Sequence, residues 1–262
     1  MSDALQRRLD AALAIATEAG QLALRMRPPA GGAVATLKDR QDWLTEADGA
    51  VETFISERLA AAFPDDGFQG EETGKGRQGS LTWVVDPIDG TSNFARGAAR
   101  FCVSLGLIEG RTSVAGVLVA PALGETFAAR LGGGATLNGT PIRAANTDDL
   151  ARAQVECGWS HRRPNADFYG MVQGVMDAGA MLRAGGSGAL GLADVAAGRI
   201  DAYIEQHINL WDVAAVMAIL AEAGAVVSDF TAGNGMTEGN RIFAAAPGIA
   251  AALREVTGFV GA

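Results

Sequence analysis

The N-terminal part of the chain carries apolar side chains at helical spacing. Over residues 3–26, leucines and alanines recur every three or four positions, which predicts an amphipathic helix that ends before Pro28. A second helix is predicted to begin near Thr45, an N-cap residue with Asp48 three positions later, and to end before Pro64. The chain therefore opens with two helices that each have one apolar face.

Short apolar runs follow, and turn residues separate them. They predict strands at 81–85, 103–108, 113–119 and 125–129. Gly110 lies in the hairpin turn between the second and third of these strands, and Asn138 with Gly139 is a further turn signal.

After a polar loop at 146–149, strands and helices alternate. The predicted strands are 153–157, 201–204, 225–228 and 242–245, and the predicted helices are 168–178, 189–197, 213–223 and 248–256. This order indicates an α+β subdomain over 1–145 joined to an α/β subdomain over 146–262.

The composition predicts a large core and an acidic surface. Hydrophobic residues make up 48% of the 262 positions, and the formal net charge is −9. Such a charge repels nucleic acid and anionic membranes, so we expect neither as a partner. It also repels small phosphates unless cations are recruited locally.

The cysteines and the N-terminus favour a cytoplasmic protein. Cys102 and Cys157 both lie in apolar stretches, which predicts buried, reduced thiols. The sequence has no close Cys and His cluster that would indicate zinc. Its charged N-terminus differs from a signal peptide, and no apolar run reaches membrane-spanning length.

The strongest chemical feature is the hexapeptide 86–91, Asp-Pro-Ile-Asp-Gly-Thr, directly after a predicted strand. Its two carboxylates, Asp86 and Asp89, can point toward one place, and the Ile88 carbonyl can add a third oxygen. Oxygen ligands of this kind are what Mg²⁺ prefers. The alternative is a surface turn rich in Asp and Gly.

The end of the same hexapeptide is suited to binding an anion. Gly90 lets backbone N–H groups come close to an anion, and Thr91 can open a helix whose N-terminus favours phosphate. One short segment therefore offers both metal ligands and a phosphate cradle.

Two further acidic segments are ambiguous by themselves. Glu71 and Glu72 follow Phe68, and a solvated charge pair is the alternative to a metal site. Asp212 is expected to occupy the N-cap of an apolar helix, where capping alone explains an Asp. Trp211 before it indicates a buried helix start, where a carboxylate needs a partner such as a metal.

Together, the segments 70–72, 86–91 and 211–215 resemble the three signature motifs of the inositol monophosphatase family in order and spacing. The similarity runs through nearly the whole chain. Weaker matches are Lys38, Asp42, Thr45, Asp48 and the segments 186–188 and 201–205. The resemblance implies a five-layer αβαβα sandwich of the inositol monophosphatase and fructose-bisphosphatase type. It also implies a homodimer and a magnesium-dependent, lithium-sensitive phosphatase.

The resemblance also implies the metal ligands. One Mg²⁺ would bind Glu71, Asp86 and the Ile88 carbonyl, and a second would bind Asp86, Asp89 and Asp212. A third, weaker Mg²⁺ would contact Glu71 and water. Three such ions would reverse the negative charge of the carboxylates and attract a phosphate dianion.

The remaining roles concern water and substrate. Thr91, hydrogen-bonded to Asp48, would help Glu71 activate the attacking water. Glu205 would contact a substrate hydroxyl. The substrate-binding residues implied by the resemblance are Gly90, Thr91, Asp89, Gly188, Glu205 and Asp212.

A few positions depart from the better-known animal members and leave the substrate open. Asn209 replaces a histidine, His207 replaces a glycine, and Arg162 with Arg163 makes one loop more basic. These positions lie on the leaving-group side. Inositol monophosphate or a related polyol phosphate is the expected substrate. The alternative substrates are histidinol phosphate, 3'-phosphoadenosine 5'-phosphate and fructose 1,6-bisphosphate. A further alternative is that the protein is a regulatory binding protein on the same fold.

Overall fold

The structure is a computed structural model that describes residues 2–31, 36–39 and 42–259. The helices are α1 (Ser2–Met26), α2 (Glu46–Ala62), α3 (Thr91–Ala95), α4 (Asn165–Asp177), α5 (Gly188–Ala196), α6 (Leu210–Glu222), α7 (Gly235–Glu238) and α8 (Ala250–Thr257). The strands of the first half are β1 (Thr36–Asp39), β2 (Asp42–Leu44), β3 (Gly67–Gly70), β4 (Gly74–Lys75), β5 (Leu81–Asp89), β6 (Cys102–Glu109), β7 (Thr112–Ala120), β8 (Glu125–Arg130), β9 (Ala135–Leu137) and β10 (Thr140–Pro141). Those of the second half are β11 (Gln154–Gly158), β12 (Met181–Arg183), β13 (Ala202–Ile208), β14 (Val226–Val227) and β15 (Asn240–Ala245).

Two large sheets organise the chain. The first has eight strands in the order β10-β9-β8-β7-β6-β5-β3-β4, and the second has five in the order β12-β11-β13-β15-β14. In the first sheet β3 runs parallel to β5, with Gly70 paired to Val85. The carboxyl ends of these two strands therefore lie side by side.

Helices α1 and α2 cover one face of the first sheet. Leu9 and Ala12 of α1 and Ile55 of α2 pack in one core with strand residues such as Val85 and Leu105. All five are buried, because the apolar stripe of each helix faces the sheet. The two helices predicted at the N-terminus are confirmed, and Thr45 caps α2.

Helices α5 and α6 lie between the two sheets. Val216 of α6 and Leu192 of α5 share a core with Leu118 of the first sheet and Ile242 of the second. Helix α6 approaches the first sheet closely, because a Cβ on Gly106 would overlap the backbone of Ala214. This close contact holds the start of α6 near the end of β5.

Helices α4 and α8 cover the outer face of the second sheet. Val175 of α4 and Leu253 of α8 pack against Val155, Ile204 and Phe243 of the strands. The layers therefore follow the order helix, sheet, helix, sheet, helix, which confirms the αβαβα sandwich expected from the sequence.

The predicted strands and helices of both halves are present with small shifts in their bounds. The predicted turn at Asn138-Gly139 is confirmed, and both residues have positive φ. Strands β1 and β2 and helices α3 and α7 had no clear signal in the hydrophobic pattern. Lys38 and Asp42 lie in β1 and β2, and their side chains are outside the described part of the structure. No helix in the described ranges combines the length and apolar character of a membrane span.

Candidate active site

Asp86 and Asp89 lie inside β5, which continues past the predicted end at residue 85. The register with β6 shifts between the two aspartates, so the strand is irregular at this point. Pro87, which has no N–H for a sheet hydrogen bond, lies within the irregularity. The Ile88 N–H donates to Asp86 Oδ1 at 2.9 Å, and this bond orients the Asp86 carboxylate.

Asp212 reaches the same place from the first turn of α6. The N-cap is Asn209, so the sequence prediction that Asp212 is the N-cap is wrong. Asp212 is the third helical residue of a capping box, and its Oδ2 accepts the Asn209 N–H at 2.9 Å. The helix begins earlier than predicted, and Leu210 and Trp211 belong to its first turn.

Asp86, Asp89 and Asp212 form a compact cluster, in which one carboxylate oxygen from each residue lies within 4.8 Å of those from the other two. Burial raises the pKa of all three carboxyl groups, and repulsion from neighbouring carboxylates adds to this shift at Asp86 and Asp212. The pKa of Asp212 rises to about 7. Asp86 and Asp89 are buried and Asp212 is partly buried. Three carboxylates in such surroundings cannot all ionise at this spacing without a cation. The donor set therefore fits a hard divalent ion such as Mg²⁺.

Glu71 is beside this cluster. Its N–H donates to the Val85 carbonyl at 3.1 Å, which continues the β3–β5 pairing by one residue. Glu71 is consequently adjacent to Asp86 across the strands, and its charge is, after burial, the largest contribution to the raised pKa of Asp86. The two adjacent glutamates therefore have different surroundings. Glu71 lines the cavity described below, whereas the backbone N–H of Glu72 donates a hydrogen bond to Glu52.

Asp89 also connects the site to the start of α5. Its carboxylate accepts hydrogen bonds from the Ser187 hydroxyl, from the Gly188 N–H at 3.1 Å and from the Ala189 N–H at 3.2 Å. The Cys102 thiol is 3.7 Å from Asp89 Oδ2. Cys102 and Cys157 are both buried thiols, as predicted.

Gly90 and Thr91 begin α3 directly after β5. Gly90 has a φ of 86°, and a Cβ there would come within 3.0 Å of the Arg100 carbonyl oxygen. Glycine is therefore needed to turn the chain from strand to helix. The first N–H groups of α3 have no partner within the helix, which makes this turn suited to an anion.

The expected hydrogen bond between Thr91 and Asp48 is not what the structure shows. The Thr91 hydroxyl donates to the Ile88 carbonyl at 2.8 Å. Asp48 instead accepts the N–H and hydroxyl of Thr45 at 2.8 and 2.6 Å, because it closes the capping box of α2. The Ile88 oxygen has a second lone pair, so it can still bind a metal.

Glu205 lies within β13, whereas the sequence predicted it after the strand. The strand continues because Glu205 pairs with Gly158 on one side and Ile242 on the other. The Glu205 side chain is buried, and burial raises its pKa to about 8. Tyr203 donates a hydrogen bond to it.

One cavity of about 390 Å³ contains most of these groups. Glu71, Asp89 and Asp212 line it together with the Gly90-Thr91 turn. The same cavity is lined by the substrate-side residues named from the sequence: Gly188, Glu205, His207, Asn209 and Arg162. Arg163 pairs with Asp167 on α4 at 3.1 Å. His207 Nε2 is 2.9 Å from the Glu238 carbonyl oxygen.

Some contacts of this site were not predicted from the sequence. Tyr203 and Cys102 contact Glu205 and Asp89, and Glu52 contacts the turn that follows β3. Glu52 could have been noticed, because a charged residue next to Val51 interrupts the apolar face of α2.

The fold and the carboxylate site define a phosphatase of known type. The profile of the inositol monophosphatase family matches residues 4–258, so the chain belongs to this family. It is a phosphatase, that is, a hydrolase of phosphate esters.

The named relatives include both Nus factors and inositol-1-monophosphatases. The chain is 41% identical over 196 residues to the Nus factor SuhB of Xylella fastidiosa, covering 74% of this chain and 71% of the relative. It is 37% identical over 213 residues to the inositol-1-monophosphatase of Mesorhizobium japonicum, covering 80% of each. The crystal structure of the extragenic suppressor protein suhB of Bartonella henselae superposes with a TM-score of 0.89 at 30% identity, covering 96% of this chain and 98% of that one.

Proposed function

We propose that this protein hydrolyses a small phosphomonoester with Mg²⁺ as cofactor, and that the substrate is inositol monophosphate or a related polyol phosphate. The observation that carries this proposal is the convergence of Asp86, Asp89 and Asp212 beside the Gly90-Thr91 turn in one cavity. Buried carboxylates next to an anion-binding turn need cations, and a phosphate ester supplies the matching anion.

The residues divide into those that would hold Mg²⁺ and those that would act on the phosphate and the attacking water. Glu71, Asp86, the Ile88 carbonyl, Asp89 and Asp212 would hold two or three Mg²⁺ ions. When bound, Mg²⁺ polarises phosphoryl oxygens and lowers the pKa of water. The N–H groups of Gly90 and Thr91 would orient the phosphate, and Glu71 would accept a proton from the attacking water. No side-chain nucleophile is required.

The residues expected to bind the leaving group support a polyol as the alcohol part of the substrate. Glu205 lines the same cavity as the phosphate turn, and Tyr203 fixes its carboxyl group. A carboxyl group at this position can exchange hydrogen bonds with alcohol hydroxyls. Gly188 at the start of α5 also lines the cavity, and a Cβ there would come within 2.7 Å of Ile208 Cδ1. We also propose that the enzyme works in the cytoplasm as a homodimer, with 1–145 and 146–262 as its subdomains.

A phosphate-release screen tests this function directly. We would compare inositol monophosphate with histidinol phosphate, 3'-phosphoadenosine 5'-phosphate and fructose 1,6-bisphosphate, each with Mg²⁺ and with excess chelator. We expect the polyol phosphate to have the highest kcat/KM and all hydrolysis to stop in chelator. Full activity in chelator contradicts the metal-assisted reaction, while a better substrate among the others corrects the substrate alone.

A second candidate function comes from the Xylella fastidiosa relative, which is named a Nus factor. In that case this chain would act as a regulatory binding protein on the phosphatase fold. Negligible turnover on every phosphate in the screen, by a protein that is folded and binds metal, would favour this second function.

A further inference from the structure

Glu52 is a buried charged residue outside the proposed set of metal ligands. It lies on α2, one helical turn after Asp48, and is 1% exposed. A buried carboxylate is costly unless its oxygens are hydrogen-bonded. The partners of Glu52 therefore indicate what it does.

Both oxygens of Glu52 accept backbone hydrogen bonds from one turn. Oε2 accepts the Glu72 N–H at 2.8 Å, and Oε1 accepts the Thr73 N–H at 2.9 Å. These two residues immediately follow Glu71 in the turn between β3 and β4. Glu52 therefore fixes the backbone that carries the Glu71 side chain.

The preceding residue is adapted to this contact. A Cβ on Gly70 would overlap the Glu52 carboxylate, so the carboxylate packs directly against the end of β3. The Glu71 N–H is in turn bonded to Val85, next to Asp86. The turn is thus held from both sides, by β5 and by Glu52.

We propose that Glu52 is a positioning residue for the metal site: its carboxylate holds the 71–73 turn so that Glu71 faces Asp86. This inference rests on the proposed function, because it takes Glu71 as a metal ligand. A helix is a rigid support, and residues behind the direct ligands commonly set how well a metal site is organised.

The test measures metal binding apart from catalysis. Glu52→Gln keeps the size of the side chain but places an amide N–H₂ against one of the two backbone donors. We expect Mn²⁺ affinity, measured by electron paramagnetic resonance without substrate, to fall about 10- to 100-fold. The Mg²⁺ concentration for half-maximal phosphate release should rise in parallel, while kcat at saturating Mg²⁺ changes less.

The chain offers a matched control. Glu222 on α6 accepts the N–H groups of Gly132 and Gly134, both at 2.7 Å, and so holds the turn after β8 in the same way. Glu222→Gln should lower the thermal midpoint without changing Mn²⁺ affinity. If Glu52→Gln does not fold, Gly70→Ala serves instead, since its Cβ displaces the same carboxylate.

The outcomes separate the two proposals. Wild-type protein that binds no Mn²⁺ overturns both the proposed function and this inference. Wild-type binding with unchanged affinity in Glu52→Gln, or a change no larger than that in Glu222→Gln, overturns the inference alone. A loss of affinity specific to Glu52→Gln or Gly70→Ala supports it.

Discussion

The phenolic hydroxyl of Tyr203 donates a hydrogen bond of 2.6 Å to Oε2 of Glu205, two residues later on β13. Both side chains are buried, and the pair packs where a Cβ on Gly158 would overlap it. This contact uses one Glu205 oxygen and fixes the carboxyl group in the wall of the cavity. In the proposed function, the second oxygen would interact with the alcohol of the substrate.

Glu205→Ala should therefore weaken recognition of the alcohol and leave the chemistry at the phosphate intact. Above the Glu205 pKa of about 8 the group is a carboxylate. A hydrogen bond to a charged group typically contributes about 1.5–3 kcal/mol, which corresponds at such a pH to a loss of about 10- to 150-fold in kcat/KM for inositol monophosphate. The measurement compares this substrate with p-nitrophenyl phosphate, which lacks the hydroxyls and should change far less. Glu205→Gln, which keeps an acceptor for Tyr203, should lose less than Glu205→Ala. Equal losses on both substrates would rule out the specificity role.

Asp86→Asn should abolish most activity while the protein stays folded. Asp86 is proposed to bridge two metal ions, and loss of one strong electrostatic contribution typically costs about 100- to 1,000-fold in rate. The Asn oxygen can still accept the Ile88 N–H that Asp86 Oδ1 accepts at 2.9 Å, so the bend of β5 should survive. The readouts are kcat at saturating Mg²⁺ and the thermal midpoint. Near-normal turnover would place the metals elsewhere.

Lithium should inhibit phosphate release at millimolar order. The basis is the proposed, weakly held metal at Asp86, Asp89 and Asp212, which lithium would replace after the phosphate ester bond breaks. Initial rates measured against LiCl, with KCl at equal ionic strength as the control, test this expectation. Insensitivity at much higher lithium concentration would indicate that this site differs from the family pattern.

The metal-free protein should lose stability as the pH rises. Burial raises the pKa of Asp212 to about 7, so the folded protein binds this proton more tightly than the unfolded chain does. The resulting stabilisation is complete below the unfolded pKa of about 4 and is lost as the pH rises through the folded value. In chelator, the thermal midpoint should fall by several degrees between about pH 5 and pH 8, given about 2–4 °C per kcal/mol for a protein of this size.

Asp212→Asn is the control for this pH dependence. Its amide cannot ionise, and its oxygen can keep the Asn209 N–H as partner, so its midpoint should change less over the same range. Excess Mg²⁺ should also flatten the wild-type curve, because a bound cation replaces the proton. A wild-type midpoint that rises with pH relative to Asp212→Asn would contradict the assignment.

Much of the fold follows from local patterns in the sequence. The apolar stripe of α1 and the Thr45–Asp48 capping box of α2 depend on residues a few positions apart, so they could be predicted without the fold. The hexapeptide 86–91 likewise carries its own chemistry. The motifs, by their resemblance to a known family, pointed to the phosphatase class that the comparisons confirm.

The contacts between distant segments were decided by the tertiary structure. The expected long-range bond between Thr91 and Asp48 does not form, because Asp48 is already engaged by its neighbour Thr45 and Thr91 bonds to its neighbour Ile88. Strand β13 extends through Glu205 because strands on both sides pair with it. Spacing along the chain does not specify such partners, since they depend on which layers pack together. The sequence by itself determined which side chains could bind metal and phosphate, whereas packing of α6 against the first sheet decided that Asp212 meets Asp86.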